Sequence, residues 1–203
     1  MTALNKAFPR LRTLALLGLL GLLPLLQGCV EMAVVGAGAA ALASDDRRSL
    51  GAQTEDKEID LRGGNRIGDR FGDKVHINVT SYNRNPLLTG EAPDAATKAQ
   101  IERIVREIPN VRGVVNEIQI AGVSSYSARA NDSYLTSKVK ARFIDSGGKF
   151  SANDVKVVTE SSVIYLLGLV TRSEAEAAVE IARTTGGVQK VVRVFEYIGT
   201  PVK

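Results

Sequence analysis

The sequence predicts an α+β chain of two tandem modules, each a small mixed three-stranded sheet with helices packed on one face, in the order αββαβ. Three observations lead to this. The first is an internal repeat: "VHINVTSYNRNPLLTGEAPDAATKAQIERIVREIPNVRGVVNEIQI", from Val75, runs parallel to "VKVVTESSVIYLLGLVTRSEAEAAVEIARTTGGVQKVVRVFEYI", from Val155. Gly90 matches Gly168 at an offset of 78, and Val111, Val114 and Val115 match Val188, Val191 and Val192 at 77. Two copies at so long a period mean two small domains of one fold, not a solenoid of short units. The second is alternation: Val75, Ile77 and Val79 interleave with polar residues, as in a half-buried strand. The third is helical spacing: Ile101, Ile104, Val105 and Ile108 share one face.

Residues 1–28 read as a signal peptide. Lys6, Arg10 and Arg12 form a positive start, and Leu14 to Leu26 is an apolar run of 13 residues interrupted by Gly18, Gly21 and Pro24. A spanning helix needs about 20 apolar residues. The run is too short for that and has the shape of a secretory signal. It ends in Leu26-Gln27-Gly28-Cys29, with the single Cys of the chain. A lone Cys has no internal disulfide to make. The tetrad resembles a bacterial lipobox, which implies cleavage before Cys29 and acyl chains on it. Each buried CH₂ contributes about 0.8 kcal/mol, and two chains suffice for stable anchoring. The enterobacterial sorting pattern retains lipoproteins in the inner membrane through an Asp after the Cys. Val30 stands there instead, which implies the outer membrane, facing the periplasm. Residues 29–49 make an acylated Cys and an Ala/Gly-rich tether.

The first module is expected over 50–121. A strand near Val75 leads to a second one ending at Thr89-Gly90. Asp94 caps a helix over about 95–108, stopped by Pro109 and Asn110, and Val111 to Ile120 forms the last strand. Its leading helix belongs near 55–72, where the sequence reads "EDKEIDLRGGNRIGDRFGDK". Adjacent interior glycines cost about 1 kcal/mol each relative to Ala, so a broken helix or a loop is expected there. "GVSSYSARA", 122–130, reads as a polar linker.

The second module is expected over 131–203. "NDSYLTSKVKARFI", 131–144, is its leading helix, with Leu135, Val139 and Phe143 on the core face. Strands follow near 155–160 and 163–170. Ser173 caps a helix carrying Ala177, Val179 and Ala182, closed by Gly186-Gly187, and the last strand spans about 190–198.

Charge excludes some classes of function. Without residues 1–28 the chain holds 26 − 3 = 23 basic against 22 acidic residues, so it lacks the basic footprint of a nucleic-acid binder. The charge is uneven: residues 50–121 hold 10 basic and 11 acidic residues, and 129–203 hold 11 and 8. An anionic partner would prefer the second module. His76 is the only histidine and reads as structural or exposed. "RGGNR" and "SGGK" lack the context of a phosphate loop, Gly90 and Gly168 read as tight strand geometry, and no catalytic constellation or metal cluster is expected.

The strand "VHINVTSY", the "LLTG" and "LLGLV" turns and the helix followed by a Val-rich ending resemble the BON domain, a bacterial periplasmic module. The lipobox, the tether and the two copies together resemble dual-BON outer-membrane lipoproteins. The resemblance implies a non-enzymatic, lipid-anchored protein that binds anionic phospholipid through its second module. It also implies support of outer-membrane integrity at division or remodelling sites. No cofactor is implied beyond the acyl chains on Cys29. In that family the leading helix of the second module meets the lipid. The carry-over falls on Tyr134 with Leu135, Lys138 and Arg142, of which Tyr134, Lys138 and Arg142 form an i, i+4, i+8 stripe suited to headgroup depth. The alternative is a protein–protein adaptor for an envelope assembly or peptidoglycan-linked complex.

Overall fold

A computed structural model describes residues 46–199. Cys29, the signal segment and most of the tether lie outside the described residues. Helix α1 spans Leu50–Phe71, β1 His76–Tyr82, β2 Asn85–Ala92, α2 Ala95–Arg106, β3 Val115–Asn116 and β4 Gln119–Ile120. The second copy follows with α3 Tyr126–Ile144, β5 Val155–Glu160, β6 Val163–Val170, α4 Arg172–Arg183 and β7 Lys190–Tyr197. In each copy a hairpin pairs antiparallel and the crossover helix returns the chain parallel to the second strand. The αββαβ order holds twice.

The alternation expected in the strands sorts side chains onto two faces. Ile77, Val79, Leu88 and Ala92 join Ile59 and Ile67 of α1 and Ile101 and Val105 of α2 in one core. Val155, Val157, Ile164, Leu166 and Val170 join Val139 and Phe143 of α3 and Ala175, Ala178 and Ala182 of α4 in another. The reverse faces meet each other. Tyr82 and Leu87 of the first sheet pack on Tyr165 and Leu167 of the second, with Val158, Val192 and Val194 around them. The described residues therefore form four layers, helices–sheet–sheet–helices, with the modules docked sheet to sheet.

Helix α1 is continuous through Gly63 and Gly64, contrary to the broken helix or loop expected. Gly63 is buried, and a Cβ there would lie 3.1 Å from Val79 Cγ1. The missing side chain lets the helix approach β1, and tertiary packing offsets the propensity loss. Three further boundaries differ. Helix α3 starts at Tyr126, where the Ser125 hydroxyl accepts from the Ala128 N–H, so residues 126–130 are helix. Thr171, not Ser173, caps α4, in a reciprocal capping box with Glu174. The expected strand 111–120 is reduced to two short bridges on β2, because Asn116 Oδ1 accepts from the Ile118 N–H and turns the chain between them.

The end of the expected tether is held in place. Arg47 makes a bidentate pair with Glu174, at 2.7 and 2.8 Å, and meets Asp154 at 3.1 Å. Arg48 bonds Asp46 and Asp56 and lies over the Tyr82 ring. Adjacent arginines thus hold the two modules, one each.

Candidate membrane-facing site

Helix α3 buries Leu135, Val139 and Phe143 and turns its opposite side to solvent. Tyr126 and Ile144 are five turns apart at roughly 3.6 residues per turn, so they lie on one side, 84% and 77% exposed. Tyr134, 63% exposed, flanks them. Between these large apolar side chains the exposed positions are Ala130, Ser133, Ser137 and Ala141, with no charge. A contiguous uncharged stripe with tyrosines on an outward helix face is the pattern of an interfacial contact.

Cations border the stripe. Lys138 Nζ lies 5.6 Å from the centre of the Tyr134 ring, and the Arg129 guanidinium 4.6 Å from that of Tyr126. Lys140 is exposed and makes no ion pair among the described residues. It lines a cavity of about 310 Å³ at the C-terminal end of α3 with Arg48, Lys156, Phe143 and Ile144. Burial pushes the Lys156 ammonium down in pKa, against the pull of Asp60.

The expected residues separate into two roles. Only Tyr134 stands free on the surface. Leu135 is buried beneath Gly187, whose added Cβ would come within 2.8 Å of Leu135 Cδ2. It touches no surface ligand in this conformation. Lys138 donates to the Gly186 carbonyl at 2.8 Å. Arg142 donates to the Ile181 carbonyl and Thr185 Oγ1, both at 2.7 Å, and to Thr184 Oγ1. Arg142 caps the C-terminal end of α4, where helix carbonyls lack partners and the dipole favours positive charge, and Lys138 holds the turn just after it. Tyr126, Lys140 and Ile144 were not singled out from the sequence. Ser125 in "VSSYS", a residue type that caps helices, was the signal that would have brought Tyr126 onto the face.

The structure also gathers residues that the sequence left apart. His76 Nδ1 lies 3.3 Å from Glu91 Oε2, and Glu160 of the second module faces the same pair. Burial raises the Glu160 pKa, Asn78 donates to its carboxylate and lowers it, and Glu91 raises it further. Among the described residues, no helix is long and apolar enough to cross a membrane.

The BON-domain family profile matches residues 65–122 and 131–199, one match per sheet. The chain belongs to the BON-domain family of outer-membrane lipoproteins. It is 36% identical to the outer membrane lipoprotein DolP of Haemophilus influenzae over 176 residues, covering 85% of this chain and 90% of that one. It is 29% identical over 155 residues to a 21 kDa hemolysin of Actinobacillus pleuropneumoniae, covering 75% of this chain and 79% of that one. A structure of CdsD, a structural protein of the type III secretion system of Chlamydia trachomatis, aligns at a TM-score of 0.28 and 11% identity over 68% of this chain and 91% of that one, too weak to bear on the fold. The chain is thus placed with outer-membrane lipoproteins.

Proposed function

We propose that this lipoprotein, anchored through acyl chains on Cys29, binds anionic phospholipid with the outward face of α3 in its second module. It thereby supports the outer membrane at division or remodelling sites, as a binding protein without catalysis. One observation carries the reading: Tyr126, Tyr134 and Ile144 stand exposed on one uncharged stripe of a single helix. Tyrosine rings suit headgroup depth. Lys140 on the border would meet lipid phosphates, at about 1 kcal/mol per cation near an anionic surface. The excess of basic residues in 129–203 points the same way. Anchoring on Cys29 would keep the protein at the leaflet, so a weak headgroup site suffices.

An adaptor role is the second reading. The cleft of about 500 Å³ at the open edge between the sheets, lined by Val114, Val115, Val192, Val194 and Phe195, favours it. Co-flotation separates the two. Residues 46–203 without the anchor are mixed with phosphatidylglycerol or phosphatidylcholine vesicles. The lipid reading predicts flotation with the anionic vesicles alone, weakened by salt and by Tyr134→Ala with Ile144→Ser. Flotation indifferent to headgroup charge and to those substitutions sinks it.

A further inference from the structure

At one end of the sheet–sheet interface sits a polar cluster that the lipid reading does not use. On β1, His76 and Asn78 point toward the second module, and their register partners on β2 are Glu91 and Thr89. Glu160, the last residue of β5, enters from the other sheet, and Asn78 Nδ2 donates to its Oε2 at 2.9 Å. Glu91 and Glu160 are 3% and 2% exposed. Among the described residues neither carboxylate has a Lys or Arg within ion-pair distance. Two buried carboxylates facing one another are expensive without a counter-charge.

The donor atoms are arranged for a cation. His76, Glu91 and Glu160 each offer one ligand atom, all within 4.8 Å of one another, and the His76–Glu91 pair is already at 3.3 Å. Tetrahedral zinc, with ligands at about 2.0–2.2 Å, separates its donors by about 3.3 Å. The longer separations close by side-chain rotations that bring donor atoms together by up to about 1.5 Å. Outer contacts fix both acids: Asn78 holds Glu160, and the Ser124 N–H donates to Glu91 Oε2 at 3.2 Å. The Thr89 hydroxyl, 1% exposed, is turned to the Glu160 carboxylate as a further outer contact. A cavity of about 210 Å³ lined by His76, Asn78, Thr159, Glu160 and Arg129 opens on the cluster, giving entry and room for a water ligand. Arg129 borders the same cavity but makes no ion pair with either carboxylate among the described residues; its guanidinium donates to the Ser124 carbonyl and lies over the Tyr126 ring.

We propose that His76, Glu91 and Glu160 form a metal site across the two modules, taking a divalent transition cation such as Zn²⁺ with water in the fourth position. One imidazole and two carboxylates suit zinc and its neighbours. Three protein ligands are too few for the six to eight oxygens of calcium. Because the ligands come from both sheets, the bound metal clamps the docked modules together.

The test uses the full chain in detergent, with Cys29→Ser throughout so that the single thiol takes no metal. After chelator treatment, Zn²⁺ is titrated calorimetrically and the melting temperature is followed with and without it. One saturable Zn²⁺ site is expected, absent for Ca²⁺, together with a rise in melting temperature. His76→Ala and Glu160→Gln should each weaken binding by more than the roughly 10–100-fold that follows loss of an outer contact, and abolish the thermal rise. Circular dichroism of the metal-free variants shows whether they remain folded. If one variant unfolds, Glu91→Gln replaces it. No saturable Zn²⁺ binding, equal binding of Ca²⁺, or Zn²⁺ binding unaltered in the folded variants overturns the proposal.

Discussion

Replacing Asp132 by Ala should destabilise the second module through a turn it does not belong to. Asp132 is buried on α3, and its carboxylate accepts the Ser161 N–H at 2.9 Å and the Ser162 N–H at 2.8 Å. Those serines join β5 to β6, with φ of 50° and 62°. Two consecutive positive φ values define the type I′ class of hairpin turn, which prefers Asn-Gly, and non-glycine residues there are strained by about 1–2 kcal/mol each. The carboxylate holds the turn against that strain. A hydrogen bond to a charged group contributes about 1.5–3 kcal/mol. Ser161 is exposed, so water replaces part of the loss, and Asp132→Ala should cost about 2–3 kcal/mol in all. Urea denaturation of residues 46–203 measures it. Adding Ser161→Asn and Ser162→Gly to Asp132→Ala should recover about 1 kcal/mol or more, because that pair adopts the turn unaided. A loss under about 0.5 kcal/mol, or no recovery, refutes the reasoning. The first module repeats the device: Asp56 on α1 accepts from the Asn83 and Arg84 N–H groups, whose φ values are 51° and 66°.

Other expectations follow from single positions. Gly64→Ala, where an added Cβ meets nothing within 4 Å, should stabilise the protein by up to about 1 kcal/mol, while Gly90→Ala, whose Cβ would fall 1.9 Å from the His76 carbonyl oxygen at φ 110°, should prevent the hairpin from closing; thermal melts report both. The Arg47 guanidinium holds the Glu174 carboxyl down to about 2 from an ordinary 4.5, despite opposing desolvation. With the folded value depressed, this contribution is complete above about pH 4.5 and is lost as pH falls toward 2. Glu174→Gln should erase that segment of the stability–pH curve, worth about 1 kcal/mol for a partly exposed pair. Arg142→Ala should lower stability by about 1–2 kcal/mol through the uncapped end of α4 and leave vesicle binding of the folded protein within about twofold, whereas Tyr134→Ala should do the reverse.

Legibility in the sequence followed the range of the physics. The period of alternation put Ile77 and Val79 on the core side of β1, and helical spacing put Leu135, Val139 and Phe143 in the core, because both signals are local and repeat. The Gly63-Gly64 pair misled because propensity is weak beside packing, and Gly63 serves a contact with Val79, whose position in sequence announces nothing. The strand expected over 111–120 failed for a similar reason: Val-rich composition cannot show that Asn116 will turn the chain. At the site, the stripe Tyr134–Lys138–Arg142 is real as a spacing. Its two cations are claimed by the end of α4 and the turn after it, Arg142 by Ile181, 39 residues on, and Lys138 by Gly186, 48 residues on. The cluster of His76, Glu91 and Glu160 has no ligand spacing at all, since register and module docking create it. The buried aspartates Asp56 and Asp132 were visible in principle, at matching places in the two copies of the leading helix.

The account turns on α3 lying against anionic lipid, and a nitroxide label tests that contact directly. Ile144→Cys places one on the proposed face, and Leu61→Cys places a control on the exposed side of α1, each with Cys29→Ser. With phosphatidylglycerol vesicles, the label at 144 should lose mobility and become accessible to oxygen dissolved in the bilayer, while the label at 61 stays in water. Two labels that remain equally aqueous and mobile on such vesicles would contradict the account.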